Sequence, residues 1–468
     1  MKLLYIGAGF VGTCSAAVSA DGGHNVLVYD IDAEKIKKLG SGDRDAIESC
    51  LFEKGLADLL TRNAERISFI NNYTAVEKFL NNCDAVFMCL PTPEKSGSVG
   101  ETDLSFYEKA AEELAGRMAL RNEGRQEKYI IIVNKSTVPI GMADITKEIL
   151  EKRGVKNFGV VANPEFLAEG RAVEGSLKPS RVVIGAWQER DFKIMREIYS
   201  RFYGSPEVVY LEVNPREAAA GKLLANFLLL SRLVNTYDVV GRVSESFSDV
   251  KFENICRVVS TDERIGQWGF YNSVSAGGGC LLKDASSLRH QLRAAGILTN
   301  QIDGVLSGNN FQKENFYNRA RQEAKFSWPG KTAAILGVAF KQGTNDVRNS
   351  SAVELIVRLL DDGVKKIKIY DPAATPSFQN VFNPAKDARY KIIQYCDSEK
   401  ETLAGSEACL VLTDWPEFKS IGDVIKTICP PPYLIMDGRR MLAGQFEELA
   451  AMGYDIIAVG SPFYKGKK

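Results

Sequence analysis

Between a short β-prone run and a helix-compatible stretch near its start, the chain sets Gly7, Gly9 and Gly12, and this spacing constrains the fold more than any other feature. Lys2–Ile6 is apolar and strand-like, Gly7-Ala8-Gly9-Phe10-Val11-Gly12 makes a turn, and Asn25–Tyr29 reads as the next strand, ending at Asp30. That is a βαβ unit. Its glycines permit a tight turn and close backbone approach, so a pyrophosphate can rest on the helix N-terminus. Asp30 stands 18 residues beyond Gly12, where a carboxylate binds ribose hydroxyls and repels a 2′-phosphate, which favours NAD over NADP. Lys35 can reach the adenosine side or remain a solvated surface cation. The competing reading is that the glycines only shape a strand-to-helix turn.

Apolar strands recur at 85–90, 129–133 and 159–161 with helix-length stretches between them, so the first 200 residues predict a doubly wound parallel sheet. Residues 215–243 are rich in Ala and Leu and predict a helix of more than six turns, followed by further helical patterns to Arg321. After Trp328-Pro329-Gly330 the opening pattern returns. Thr332–Leu336 ends in Gly337, Lys366–Tyr370 ends in Asp371, and 408–412 precedes Thr413-Asp414-Trp415-Pro416. A chain of 468 residues exceeds one core. The expectation is an α/β chain with two Rossmann-like doubly wound domains, 1–210 and 326–468, joined by a central helical domain, 211–325, with a ligand cleft between the α/β domains.

Lys plus Arg and Asp plus Glu both number 59, so no net field is available to hold nucleic acid. Nine cysteines include no CxxC and no metal-ligand spacing, which predicts reduced thiols, no metal and a cytoplasmic setting. No basic-then-apolar leader opens the sequence, and no run approaches 18 apolar residues, so neither secretion nor a membrane is expected. With only His24 and His290, acid–base work falls to Lys, Asp, Glu and Cys.

Several clusters of such residues stand out. Pro91-Thr92-Pro93 and Ser136-Thr137-Val138-Pro139 each follow an apolar strand, where ligands bind in open α/β sheets; ordinary turns are the plain alternative. Cys280 follows Gly277-Gly278-Gly279, with Lys283 and Asp284 at helical spacing behind it. A neighbouring cation favours the thiolate, although most cysteines are inert core residues, the role expected of the other eight. Lys222 and Asn226 lie four apart on an apolar helix and need partners or water, unless they belong to a solvated stripe. Asn163-Pro164-Glu165-Phe166-Leu167-Ala168-Glu169-Gly170 ends a strand with two carboxylates suited to holding water or accepting a proton.

Taken in order, the fingerprint with Asp30, the Pro-Thr-Pro loop, Lys135-Ser136-Thr137-Val138-Pro139, residues 163–170, Lys222 with Asn226, Arg264-Ile265-Gly266, residues 277–284, and Gly337-Val338-Ala339-Phe340-Lys341 with Asp346-Val347-Arg348 resemble the UDP-glucose/GDP-mannose dehydrogenase family over nearly the whole chain. The resemblance implies a four-electron oxidation using two NAD, in which Cys280 adds to an aldehyde, a thioester forms and hydrolysis releases a uronic acid. Lys222 and Asn226 would then stabilise oxyanions, Asp284 would orient water, and Thr137 and Glu165 would hold water and move protons. Residues 7–12, Asp30, Lys35, Thr92, Ser136, Thr137, Glu169, Lys283 and Arg348 would form the NAD site. The sugar nucleotide would touch Glu165, Phe166, Leu167, Lys222, Asn226, Tyr271, Gly277, Phe340, Lys341 and Arg439, with Arg264 reaching in from a second subunit of a homodimer or larger homo-oligomer.

The sequence departs from the family pattern at Leu282 for proline, Ser275-Ala276 for a Gly-aromatic pair, Tyr237-Asp238 for Asn-Glu, and Ser180 for an acid. None removes a catalytic group; all bear on which sugar is held. Residues 163–170 and Met436-Asp437-Gly438-Arg439-Arg440 look most like the UDP-glucose branch, with GDP-mannose and UDP-N-acetylhexosamines as alternatives. A two-electron dehydrogenase would leave Cys280 idle, and a non-catalytic NAD or nucleotide-sugar sensor would use the same pockets for binding alone.

Overall fold

The computed structural model describes residues 1–121 and 128–467. They form two compact units, one of residues 1–225 with 286–297, the other of residues 226–285 with everything from 298 on. The first unit is built on eight strands, β1 (Lys2–Ile6), β2 (Asn25–Tyr29), β3 (Ile67–Ile70), β4 (Ala85–Met88), β5 (Ile130–Asn134), β6 (Phe158–Ala162), β7 (Arg181–Gly185) and β8 (Val209–Val213), in the order β3-β2-β1-β4-β5-β6-β7-β8. Successive side chains point to opposite faces, and helices cover both, so residues of both parities are apolar. Leu3, Tyr5, Val26 and Phe87 face a layer that includes Cys14, Ala17 and Leu56. Leu4, Ile6, Leu27 and Val86 face Val76, Tyr107 and Leu114.

One junction departs from the expected parallel sheet. β7 meets β6 at a single antiparallel pair, Ala162 with Gly185. The side chain of Asn163 takes over where the ladder stops, its Nδ2 donating to the Val183 carbonyl at 2.9 Å. The segment between these strands carries Glu165 and Glu169, so the irregular junction is what presents the acidic loop.

The second unit carries six parallel strands, β9 (Thr332–Leu336), β10 (Lys366–Tyr370), β11 (Ile393–Tyr395), β12 (Ala408–Val411), β13 (Tyr433–Asp437) and β14 (Tyr454–Ala458), in the order β11-β10-β9-β12-β13-β14. This repeats the order of the first six strands of the other sheet, and the echo between the two ends of the sequence extends to single bonds. Gly7 donates to the Tyr29 carbonyl and Gly337 to that of Tyr370, both at 2.8 Å. The Ala8 N–H meets Asp30 Oδ2 as the Val338 N–H meets Asp371 Oδ2, each at 2.7 Å.

The predicted long helix is present. Pro215–Val234 continues through a π-helical stretch, Asn235–Val240, into Gly241–Ser246, 32 residues in all, or about 48 Å. By length and composition it is apolar enough to cross a bilayer, although no uninterrupted run of 18 apolar residues occurs in it. Lys222 and Asn226 lie on its buried face, 4% and 5% exposed, the pattern of a core helix that holds polar groups at a site.

Candidate active site

The first unit supplies a dinucleotide cradle. Gly7 has φ +103°, and a Cβ there would stand 2.1 Å from the Cys89 carbonyl oxygen; one at Gly12 would stand 2.0 Å from the Gly7 carbonyl oxygen. Only glycine fits either place, where the ends of β1 and β4 diverge at the topological switch point. Helix Phe10–Asp21 begins at Gly9 with no side-chain cap and no acid in its first turn. The N–H groups of Phe10, Val11 and Gly12 therefore meet no competing charge, and suit a pyrophosphate. Asp30 is pinned beside them, its Oδ2 accepting from Ala8 at 2.7 Å and its Oδ1 from Asp32 at 3.0 Å. Lys35 lies 3.6 Å from it. The glycine turn, the uncapped helix start and the carboxylate of Asp30 at the strand end suit a dinucleotide such as NAD.

The ends of the neighbouring strands are tied together. Thr92 Oγ1 donates to the Thr137 carbonyl at 2.9 Å, and Ser136 Oγ to that of Leu90 at 2.7 Å. Past β6, Glu165 pairs with Lys222 at 3.1 Å, and the two side chains are 10% and 5% exposed. The other Glu165 oxygen accepts the Leu167 N–H at 2.5 Å. Phe166 is flanked by Arg181 at 3.8 Å and Lys222 at 5.3 Å from its ring centroid. Folding thus joins two candidate groups that are far apart in sequence.

Two buried charges in this unit were given no role by the sequence, Glu53 outside any motif and Lys135 within the Lys135–Pro139 motif. Glu53 is buried and accepts the N–H groups of Gly170 and Ala172 at 2.8 and 2.9 Å, which fixes the turn that follows Glu169. Lys135 is buried and donates to Asn163 Oδ1 at 3.0 Å; burial pushes its ammonium down to about 8.

In the second unit, Cys280 is the one exposed cysteine of the nine; six are buried and two half-buried. It stands directly before helix Leu281–Ala294, and its carbonyl accepts the Asp284 N–H at 2.9 Å. The glycines ahead of it are a packing requirement. A Cβ on Gly278, whose φ is +84°, would meet the Phe340 ring at 3.0 Å, and one on Gly279 would stand 2.5 Å from the Arg348 guanidinium carbon. Gly278 donates to the Arg348 carbonyl at 2.8 Å and accepts from Asn349 Nδ2 at 3.0 Å. Asp346 holds the same guanidinium at 2.7 to 3.0 Å. The thiol therefore stands at a helix N-terminus, directly after a residue packed against the Arg348–Asp346 pair.

Asp284, 1% exposed, accepts from Asn226 Nδ2 at 2.6 Å and from Lys283 Nζ at 2.5 Å. Both oxygens are engaged, so the carboxylate orients the Asn226 amide and holds Lys283 against the helix start. Arg439 is committed to backbone carbonyls, donating to Leu412 at 2.8 Å and Phe340 at 2.6 Å, and it fastens the loop beneath the glycines. The Lys341 ammonium lies 5.5 Å from the Phe340 ring centroid. Tyr271 is half-exposed, and Arg264, bound to Asp262 at 2.6 Å, projects from the surface with 89% of its side chain exposed. Among the described residues no group of His, Cys, Asp or Glu is arranged to hold a metal.

The second sheet repeats the strand order but not the cradle. Asp371 is 4% exposed, and its carboxylate accepts N–H groups from Val338, Ala339, Ala373, Ala374 and Trp415. No oxygen is left for a ribose. The turn after Gly337 also runs on to Ser351 before a helix begins, so no helix N-terminus meets the strand end.

Comparison with known proteins agrees with this division. Residues 1–203 match the NAD binding domain of the UDP-glucose/GDP-mannose dehydrogenase family, residues 216–310 its central domain, and residues 334–444 its UDP binding domain. The chain is 30% identical to the UDP-glucose 6-dehydrogenase TuaD of Bacillus subtilis, over 99% of this chain and 94% of that one. It is 31% identical to the UDP-glucose 6-dehydrogenase AglM of Haloferax volcanii, over 94% and 97%. A UDP-glucose dehydrogenase structure from Pyrobaculum islandicum superposes with a TM-score of 0.84 at 26% identity, covering 98% of each chain. The chain belongs to the UDP-glucose/GDP-mannose dehydrogenase family, and carries that family's NAD-binding, central and UDP-binding domains in order.

Proposed function

We propose that this NAD-dependent dehydrogenase oxidises the C6 hydroxymethyl group of UDP-glucose to a carboxylate through a thioester on Cys280. The observation that carries the reading is the exposed thiol at a helix N-terminus, behind a glycine run that a Cβ would close. Bound NAD accepts the electron pair of each oxidation; the remaining work falls to side chains of the protein. Lys222 supplies a fixed cation for the developing alkoxide, and Glu165, its partner, takes the proton. The Cys280 thiolate adds to the aldehyde, and the tetrahedral oxygen is met by Lys222 and by the Asn226 amide that Asp284 orients. After the second oxidation the thioester keeps the intermediate attached until Glu165 and Thr137 deliver water.

The similarity to UDP-glucose 6-dehydrogenases favours UDP-glucose, and the UDP-binding domain match supports a uridine nucleotide. The proposal includes a homodimer or larger homo-oligomer. Leu224, Leu228, Val239 and Val243 line the exposed side of the long helix, each at least 40% exposed, an apolar stripe that a second copy would cover. The outward-pointing Arg264 suits a residue that completes a neighbour's site. A cytoplasmic location follows from reduced thiols.

The test is stoichiometry. Incubated with UDP-glucose and NAD, the protein forms two NADH per sugar acid; one NADH per product, or tight binding without turnover across UDP-glucose, GDP-mannose and UDP-N-acetylhexosamines, refutes the reading.

A further inference from the structure

A cavity of about 80 Å³ opens inside the first unit, away from the glycine turn. Its outer wall includes Ser15 and Ser19, from the middle and far end of helix Phe10–Asp21, Ser176 of helix Ala172–Leu177, and the exposed Arg201. Its inner wall is Lys135, Asn163, Glu165 and Tyr199. There Asn163 Oδ1 accepts from Lys135 Nζ at 3.0 Å and from the Tyr199 hydroxyl at 2.6 Å, and Lys135 also reaches that hydroxyl at 3.4 Å. Asn163 and Lys135 are 1% and 7% exposed. The space admits water, and the polar side chains set among its otherwise apolar lining supply the partners that buried water requires.

We propose that this cavity is a water-binding passage that connects the surface near Ser176 and Arg201 to the Glu165 carboxylate, admitting the hydrolytic water and carrying protons out. The inference rests on the function proposed above. Each oxidation removes a hydride, which NAD takes up, and a proton from the substrate. Hydrolysis then forms a carbon–oxygen bond from water, breaks the carbon–sulfur bond, returns the thiol of Cys280 and releases a further proton as the acid ionises. One water enters and three protons leave per turnover, whereas Glu165 is only 10% exposed and paired with Lys222. Glu165 lines the cavity from inside the unit, and Tyr199, Asn163 and Lys135 form a hydrogen-bonded chain along its wall.

Ser176→Phe and Ser15→Leu narrow the cavity from two different helices and leave the Lys222–Glu165 pair unaltered; Ser176→Ala leaves it open. In rapid mixing with UDP-glucose and NAD, the expected result is an unchanged first phase of NADH formation, at least about a fivefold fall in steady-state turnover, and accumulation of the acyl adduct on Cys280 by intact mass, with Ser176→Ala matching the parent. Folded variants with parental turnover and no adduct overturn the passage. If neither bulky variant folds, hydroxyl-radical labelling of the unaltered enzyme in ¹⁸O-water decides: incorporation at Tyr199 supports the passage, and its absence overturns it. Failure of the unaltered enzyme to form NADH would instead defeat the proposed function, so the two failures are distinguishable.

Discussion

Replacing Lys222 by methionine keeps the length of the side chain and removes an ammonium that is 5% exposed and 3.1 Å from Glu165, itself 10% exposed. Stripping one partner from a buried ion pair costs about 3–5 kcal/mol, because the remaining charge has neither water nor counter-ion. Glu165 keeps its bond from the Leu167 N–H at 2.5 Å, so the cost should fall near the lower end, about 3 kcal/mol. For a unit of this size that lowers the midpoint of unfolding by roughly 6–12 °C, read by calorimetry. Lys222→Met combined with Glu165→Gln removes both charges and should restore stability to within about 1 kcal/mol of the parent. Activity should not return with it: kcat stays down by about 10²–10³ in the single and double variants, the effect of losing one oxyanion donor. A single variant that melts within about 2 °C of the parent would refute the buried-pair argument, and a double variant that regains turnover would refute the role given to Lys222.

Cys280→Ser should lower steady-state turnover by at least about a thousandfold while fluorescence titration returns the parental affinity for NAD; wild-type-like turnover would remove the nucleophile assignment. Gly337→Ala should lower the melting point of the second unit, because a Cβ would sit 2.4 Å from the Thr413 Cβ at φ +86°, adding roughly 1–3 kcal/mol of backbone strain and a similar overpacking cost. Lys135→Met should gain stability over the parent below pH 8. The folded-state value of Lys135 is depressed to about 8 from 10.5, so the folded state binds fewer protons than the unfolded one between these pH values, and parental stability rises with pH. The advantage of the variant should therefore shrink by up to about 1.4 kcal/mol per pH unit through that window in urea titrations at pH 7 to 10; a constant difference would contradict the burial of a charged lysine.

The glycine turn, Asp30 and the long helix were legible in the sequence because each depends on local rules: glycine where Cβ has no room, an acid at the end of a strand, helix formers without proline. The second α/β domain was legible as a weak echo, and the structure resolves it to matching hydrogen bonds at Gly7 and Gly337. Glu53 was not legible, and Lys135 was legible as part of a motif but not as a buried group. Only the packing of distant segments turns each into a buried charge with fixed partners. The engagement of both Asp284 oxygens, and the commitment of Arg439 to carbonyls, were likewise invisible, since motif spacing names residues but not the direction of their hydrogen bonds.

By itself the sequence determined the strand and helix types, the cofactor turn and the set of groups able to carry the chemistry, because these follow from backbone sterics and side-chain identity within a few residues. Only the tertiary structure decided which of nine cysteines faces solvent, that Lys222 meets Glu165, and that Asp371 spends its carboxylate on five N–H groups while Asp30 remains at the edge of the turn. Those outcomes depend on burial and on contacts between residues remote in the chain, and they settle which polar groups water can reach and which must find a partner in the protein.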